Sequence, residues 1–350
     1  MRSVIDTLDL SVEEIDELIA TALDMIQNPA AYEQACKGKK LATLFFEPST
    51  RTRLSFEAAM YELGGHVLSM PDAASSSIAK GESVADTAKV ISHLADIIVI
   101  RHPKEGAALV AARNASVPVI NAGDGGHFHP TQTLADLLTI YQKKGGFRHL
   151  TVGLCGDLKY GRTVHSLISA LSRYDDIHFV FIAPDELQLP DYAKRNISFS
   201  QTNALEEALP RLDILYMTRI QRERFQDKTQ YERLKNSYIL DADKMKLAKP
   251  DCIVMHPLPR VNEISVDVDR DPRACYFDQV YYGKYMRMAL ILKLLNGTTD
   301  GKAESPAQEA TRACANPRCI TTAEPGLPPL CKRGEDGKTR CLYCEAEVGG

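Results

Sequence analysis

Leu41-Ala42-Thr43-Leu44-Phe45-Phe46 runs directly into Glu47-Pro48-Ser49-Thr50-Arg51-Thr52-Arg53, and a helical pattern opens near Leu54. An apolar run, a proline-marked turn and a helix start read as a buried strand feeding a helix. That order gathers free backbone N–H groups and the positive end of a helix dipole at one point. Hydroxyls of Ser49, Thr50 and Thr52 and the guanidinium of Arg51 add donors suited to phosphate oxygens. No P-loop glycine pattern accompanies them, so a nucleotide is not the expected ligand. Read alone, the segment is equally an N-capped helix carrying a surface arginine.

The alternation extends both ways. Upstream, Ser11 and Glu14 form a capping-box pattern ahead of Ile15, Leu18, Ile19, Leu23 and Ile26, and Asn28-Pro29 stops that helix. Downstream, His66–Met70, Ile97–Ile100 and Val117–Asn121 read as buried strands between the helical stretches Ser55–Leu63 and Val84–Leu94. A long helix, Thr131–Lys144, leads to a second series: strands Thr151–Leu154, His178–Ile182, Ile214–Met217 and Cys252–His256, with helices Val164–Tyr174 and Ala204–Leu209. The expected fold class is α/β, with two doubly wound parallel-sheet domains. The first spans residues 1–130, with a helix at 284–296 returning to it, and the second spans 131–283. Residues 297–312 read as a linker and 313–350 as a small zinc-ribbon-like module.

In open α/β sheets, ligands bind beyond the carboxyl ends of the strands. There the first domain presents Arg101-His102-Pro103, a glycine-rich turn from Ala122 to Gly126, and His129-Pro130-Thr131-Gln132 at a helix start. The second presents Gly161-Arg162-Thr163 and Thr218-Arg219-Ile220-Gln221, cations suited to a dianionic acid. Lys80 adds another cation on a serine-rich loop. Each residue in isolation reads as a solvated charge or a structural histidine; their shared position at strand ends gives them a common purpose.

Composition narrows the class. The 350 residues are 44% hydrophobic and 25% charged, with a formal net charge of -4, which excludes a bulk nucleic-acid binder. No apolar run reaches membrane-spanning length and the N-terminus has no signal-peptide core, so a cytoplasmic location without membrane partners is expected. Five of the nine cysteines fall between Cys314 and Cys344. Cys314-x4-Cys319 and Cys341-x2-Cys344 are two ligand pairs suited to tetrahedral structural zinc, leaving Cys331 spare. With so little apolar material there, metal binding would supply the folding energy, on the order of 10–16 kcal/mol. The rival reading, a nucleic-acid-binding zinc ribbon, rests on Lys332, Arg333, Lys338 and Arg340 alone.

The combination Ser49-Thr50-Arg51-Thr52-Arg53, Arg101-His102-Pro103 and His129-Pro130-Thr131-Gln132 resembles the carbamoyl-phosphate signature of the aspartate and ornithine carbamoyltransferases. The likeness covers roughly Met1 to Asn296 and includes His256-Pro257-Leu258-Pro259-Arg260. Ornithine enzymes carry cysteine where Pro257 stands, so the resemblance points to aspartate as acceptor and to a step of de novo pyrimidine biosynthesis. It implies that Ser49, Thr50, Arg51, Thr52, Arg101 and His129 hold carbamoyl phosphate, with Arg51, Thr52, Arg101 and His129 catalytic. It implies that Gln132 and the backbone of Leu258 and Pro259 orient the carbamoyl nitrogen, and that Arg162, Arg219 and Gln221 bind aspartate. No cofactor is needed for that chemistry. The family's trimer, with active sites shared between subunits, would bring Lys80 from a neighbour, together with Ser76 or Ser77. The tail resembles the zinc domain of the separate regulatory chain through Cys319-Ile320, Ala323-Glu324-Pro325 and Cys341-Leu342-Tyr343-Cys344-Glu345. That likeness implies docking on catalytic subunits and a route to a larger assembly. Two other readings stay open: a carbamoyltransferase for a different amino acid, and a non-catalytic scaffold.

Overall fold

Helix α1 (Val12–Gln27) begins at a reciprocal cap: Ser11 Oγ accepts from the Glu14 N–H at 3.2 Å and Glu14 Oε2 accepts from the Ser11 N–H at 2.9 Å. Its inward stripe is Ile15, Leu18, Ile19, Ala22 and Met25, with Leu23 and Ile26 only half-buried. The structure, a computed structural model, describes residues 2–71, 81–220, 228–234, 236–297, 308–309, 314–324, 326–334 and 337–348. Among the described residues, no helix is long and apolar enough to cross a membrane.

Strand β1 (Lys40–Phe45) feeds helix α2 (Thr50–Glu62), followed by β2 (His66–Met70), α3 (Val84–Ser92), β3 (Ile97–His102), α4 (Ala107–Asn114), β4 (Val119–Asp124) and α5 (Pro130–Lys144). The four strands form one parallel sheet in the order β2-β1-β3-β4. β1, β3 and β4 are almost wholly buried, which is why they read as continuous apolar runs. Helix α2 starts at Thr50, earlier than the apolar pattern suggested, so Thr50–Arg53 form its first turn. Helix α4 went unread because its small residues, Ala107, Ala108, Ala111 and Ala112, carry little periodic signal.

The second series is β5 (Leu150–Cys155), α6 (Arg162–Leu171), β6 (Ile177–Ile182), β7 (Ser198–Thr202), α7 (Leu205–Ala208), β8 (Ile214–Met217), α8 (Lys228–Leu234), α9 (Ala242–Met245) and β9 (Ile253–Met255). These strands make a second parallel sheet, β7-β6-β5-β8-β9. Strand β7 is a polar edge strand with no apolar alternation, so it went unassigned in the sequence. Helix α10 (Asp278–Asn296) closes the series. By compactness the chain divides into Met1–Thr131 with Lys284–Gly350, and Gln132–Gly283.

The tail folds as β10 (Gln308–Glu309), β11 (Leu330–Arg333) and β12 (Thr339–Cys341), an antiparallel sheet in that order. Gln308 and Glu309 lie inside the stretch read as linker; pairing with the open edge of β11 overrides their polar composition. The module sits against the first unit. Glu105 donates its N–H to Arg318 O and accepts at its carbonyl from the Ile320 N–H, both at 2.9 Å, while Cys319, Ile320, Cys341, Tyr343 and Cys344 join the core around α4.

Candidate active site

Both parallel sheets have a switch point, where the chain leaves one strand in one direction and returns on the other side. In the first unit it lies between β1 and β3, in the second between β5 and β8. Of the charged residues singled out in the sequence, Arg51 and Arg101 flank the first point, and Arg162 and Arg219 the second.

At the first switch point, Ser49 is the N-cap of α2 by position, but its side chain makes no capping hydrogen bond. The plain capped-helix reading of this segment is therefore not what the structure adopts, and the first-turn N–H groups are not claimed by a cap. Thr52 is buried while Arg51 is exposed, and among the described residues no carboxylate pairs with Arg51. Arg53, in the same motif, is drawn away to Glu57 Oε1 and Ser69 Oγ, each at 3.3 Å.

Arg101, at the end of β3, is nearly buried. Its guanidinium meets Glu47 Oε2 at 2.9 Å, Ala122 O at 3.2 Å and His129 Nε2 at 3.4 Å. A guanidinium only donates, so the last contact requires a neutral imidazole with its proton on Nδ1. Burial pushes the Arg101 pKa down, Glu47 opposes this, and the charge of Arg51 pushes it down further. Arg51 itself is lowered by burial. Two guanidiniums that feel each other beside an uncapped helix start make a local positive field on a chain whose net charge is negative.

His129 is held by the turn after β4. Asp124, fully buried, accepts from the N–H groups of Gly106 (2.8 Å) and Phe128 (2.9 Å), from Asn121 Nδ2 (2.9 Å) and from His127 Nδ1 (3.1 Å). Gln132 donates its amide to Asp136 Oδ1 at 2.8 Å; Gln279 Nε2 reaches the same oxygen at 2.8 Å, and the Tyr216 hydroxyl reaches Oδ2 at 2.9 Å. Sequence reasoning missed Asp124, Asp136 and Glu47. The available signal was a carboxylate inside an apolar run, as Asp136 is between Leu134-Ala135 and Leu137-Leu138.

At the second switch point, Arg162 is the first residue of α6 and Arg219 stands two residues past β8, both half-buried. The ends of β5 and β8 are tied by Thr218 Oγ1, which donates to Cys155 O at 3.0 Å and accepts from the Asp157 N–H at 3.0 Å. Gly156 has φ +118, and a Cβ there would lie 2.3 Å from Thr218 O, so only glycine permits this approach. After β9, the N–H of Leu258 donates to His256 Nδ1 at 2.8 Å, leaving Nε2 to donate to the buried Glu263 at 2.7 Å. Burial pushes Glu263 up, but His256 outweighs it and holds the carboxyl down. Leu258 takes φ +49 and the Leu258–Pro259 bond is cis. Lys80, Ser76, Ser77 and Gln221 lie outside the described residues.

In the module, the Sγ atoms of Cys314, Cys319, Cys341 and Cys344 all lie within 4.8 Å of one another. Cys319–Cys341 at 3.8 Å and Cys314–Cys344 at 3.5 Å are far longer than a disulfide, and close to the sulfur spacing of a tetrahedral thiolate site with bonds of about 2.3 Å. The residues fit a four-coordinate zinc ion. Cys331 stands outside this group, opposite Cys341 across the β11–β12 ladder.

Two family models match the chain. One, described as the aspartate/ornithine carbamoyltransferase carbamoyl-P binding domain, covers residues 2–142, and the other, the Asp/Orn binding domain of the same group, covers residues 148–294. The chain is 60% identical over 299 residues to the aspartate carbamoyltransferase catalytic subunit of Clostridium novyi, covering 84% of this chain and 98% of that one. It is 59% identical over 302 residues to that of Lachnoclostridium phytofermentans, covering 85% and 98%. Among solved structures it is similar to the catalytic subunit of M. jannaschii aspartate transcarbamoylase, with TM-score 0.79, 48% identity, and 84% and 98% of the two chains covered. The Trypanosoma cruzi aspartate transcarbamoylase in complex with carbamoyl phosphate and aspartate matches with TM-score 0.79 and 40% identity, covering 84% and 96%. Both family models end before the cysteine module.

Proposed function

The chain belongs to the aspartate/ornithine carbamoyltransferase family, and from that premise we infer its reaction. It transfers the carbamoyl group of carbamoyl phosphate to the amino group of L-aspartate, giving N-carbamoyl-L-aspartate and phosphate. The observation that carries the choice of aspartate is the 60% identity to an aspartate carbamoyltransferase along 98% of that relative's length. The parallel-sheet architecture supplies two switch points lined with cations, one for each anionic substrate.

In the proposed arrangement the first unit takes carbamoyl phosphate. Arg51, Arg101, the hydroxyls of Ser49, Thr50 and Thr52, and the first-turn amides of α2 hold the phosphate. His129, Arg101 and Thr52 face the carbonyl oxygen, where negative charge develops as the aspartate amine adds to the carbon. Gln132, oriented by Asp136, and the backbone of Leu258 and Pro259 take the carbamoyl nitrogen. Arg162, Arg219 and Gln221 take the two aspartate carboxylates. The tetrahedral intermediate collapses by breaking the bond to the phosphate oxygen, and the departing phosphate accepts the amine proton. Positioning and electrostatics therefore do the catalytic work, without a dedicated side-chain base.

Beyond the transfer itself, the reading includes a trimer whose sites borrow Lys80 from a neighbour. The exposed apolar residues Leu54 and Tyr61 on α2 and Leu68 on the edge strand β2 support an interface there. It assigns a structural zinc to Cys314, Cys319, Cys341 and Cys344; when bound, the ion fixes the fold of the tail. Nine cysteines without a disulfide among them fit a reducing, cytoplasmic setting.

The test is product formation by the purified chain from carbamoyl phosphate with aspartate or ornithine. Carbamoyl aspartate is expected, with ornithine unused; citrulline at a comparable rate would reverse the choice of acceptor.

A further inference from the structure

The segment from Ala122 to His129 carries two groups of the proposed carbamoyl-phosphate site: His129 itself and the Ala122 carbonyl that receives Arg101. From inside it is fastened by Asp124. From outside it is held by the module. His127 lies between two carboxylates, with Nδ1 at 3.1 Å from Asp124 Oδ2 and Nε2 at 3.8 Å from Glu345 Oε2. Its ring packs on Phe128, centroids 3.7 Å apart, one residue from His129.

Glu345 is placed for this contact by the thiol cluster. It follows Cys344 directly, donates its N–H to Cys341 O at 3.0 Å, and takes a left-handed backbone with φ +58. A non-glycine residue adopts that conformation only where its surroundings enforce it. Its carboxylate is shared between Lys332 of the module and His127 of the first unit. A second clamp bears on the same turn. Gly125 is so close to Glu105 that a Cβ would lie 3.0 Å from Glu105 Cγ, and Glu105 is gripped by Asn316 Nδ2 at 2.7 Å and Arg318 Nε at 2.9 Å.

We infer that Glu345 is a positioning residue for carbamoyl transfer: acting through His127, it sets the segment that presents His129 and the Arg101 acceptor to carbamoyl phosphate. The inference rests on the proposed roles of Arg101 and His129. A surface ion pair that only fastened the module would leave substrate kinetics untouched, whereas a positioning contact acts on one substrate and not the other.

Steady-state formation of carbamoyl aspartate by the full-length chain separates these, with bound metal measured in each sample. Glu345→Gln is expected to keep its metal, lower kcat about fivefold and raise KM for carbamoyl phosphate, with KM for aspartate unchanged. Lys332→Ala, which removes only the partner of Glu345 inside the module, is expected to stay within about twofold of the wild type. The double variant Glu345→Gln/His127→Gln should be no slower than His127→Gln alone. Should Glu345→Gln lose its metal, His127→Gln, which leaves every module residue unaltered, carries the same substrate-selective test. Wild-type kinetics in Glu345→Gln or His127→Gln, an equal loss in Lys332→Ala, or multiplying effects in the double variant would overturn the inference. A wild-type chain that makes no carbamoyl aspartate would instead fail the functional reading on which it stands.

Discussion

The sheet of the first unit and the sheet of the C-terminal module are held by opposite means. In β1, β3 and β4, Leu41, Ala42, Leu44, Ile97, Ile98, Val99, Ile100, Val119 and Ile120 are all buried to within a few per cent, and the strands carry the core themselves. In the module, the buried residue of β11 is Cys331 and that of β12 is Cys341, while β10 is exposed throughout. The first sheet keeps its shape by excluding water, and no ion is needed to hold its arginines in place. The second has thiols where a core would be, so under the proposed zinc assignment its shape depends on the ion they bind. In the proposed account, chemistry belongs to the region held by its own core, and adjustment to the region held through its thiols.

Four experiments press on that contrast, in descending order of effect. Arg51→Ala removes a donor beside the uncapped start of α2; kcat should fall by about 10²–10³-fold with the thermal midpoint unchanged, as read by product assay and calorimetry. Arg219→Ala removes a charged hydrogen-bond donor from the second switch point. KM for aspartate should rise about tenfold to a hundredfold, with KM for carbamoyl phosphate little altered, in the same assay. Cys341→Ser should release bound zinc, measured by metal analysis, and expose the tail to protease. The helical circular dichroism of both α/β units should persist and activity should drop only several-fold.

The smallest effect is a pH dependence of module docking. Burial pushes the His127 imidazole down, but Asp124 and Glu345 outweigh it and raise its pKa from 6.5 to about 10. A group whose pKa is raised on folding contributes fully below its unfolded value and loses that contribution as pH climbs through its folded one. Stability should therefore decline between about pH 6.5 and 10, and His127→Gln should flatten the decline in thermal melts across that window.

The same contrast explains what was legible beforehand. The bounds of β2 and β8 were read to the residue, but β2, expected to be buried, is a largely exposed strand because it lies at the edge of its sheet. Arg51, Arg101, His129, Arg162 and Arg219 were singled out because strand ends are where ligands bind, and the structure places them after the strands of the two sheets. The supporting carboxylates Glu47, Asp124 and Asp136 were not, since their partners are distant in sequence and only tertiary structure brings them together. The cysteine spacing announced the thiol cluster but was silent on where it docks: Glu105, Gly106 and His127 show no docking signature until Arg318, Tyr343 and Glu345 are seen against them.

The most direct trial of the division between catalytic body and adjusting module is carbamoyl aspartate formation by the full-length chain before and after zinc is stripped, with bound metal quantified in the same samples. We expect the stripped protein to keep a clearly measurable rate, several-fold below the untreated one, with a raised KM for carbamoyl phosphate and recovery on adding one equivalent of zinc. An unchanged rate would show that the module does not act on the site, and complete loss in a protein that still shows its α/β circular dichroism would show that the body does not carry the chemistry alone.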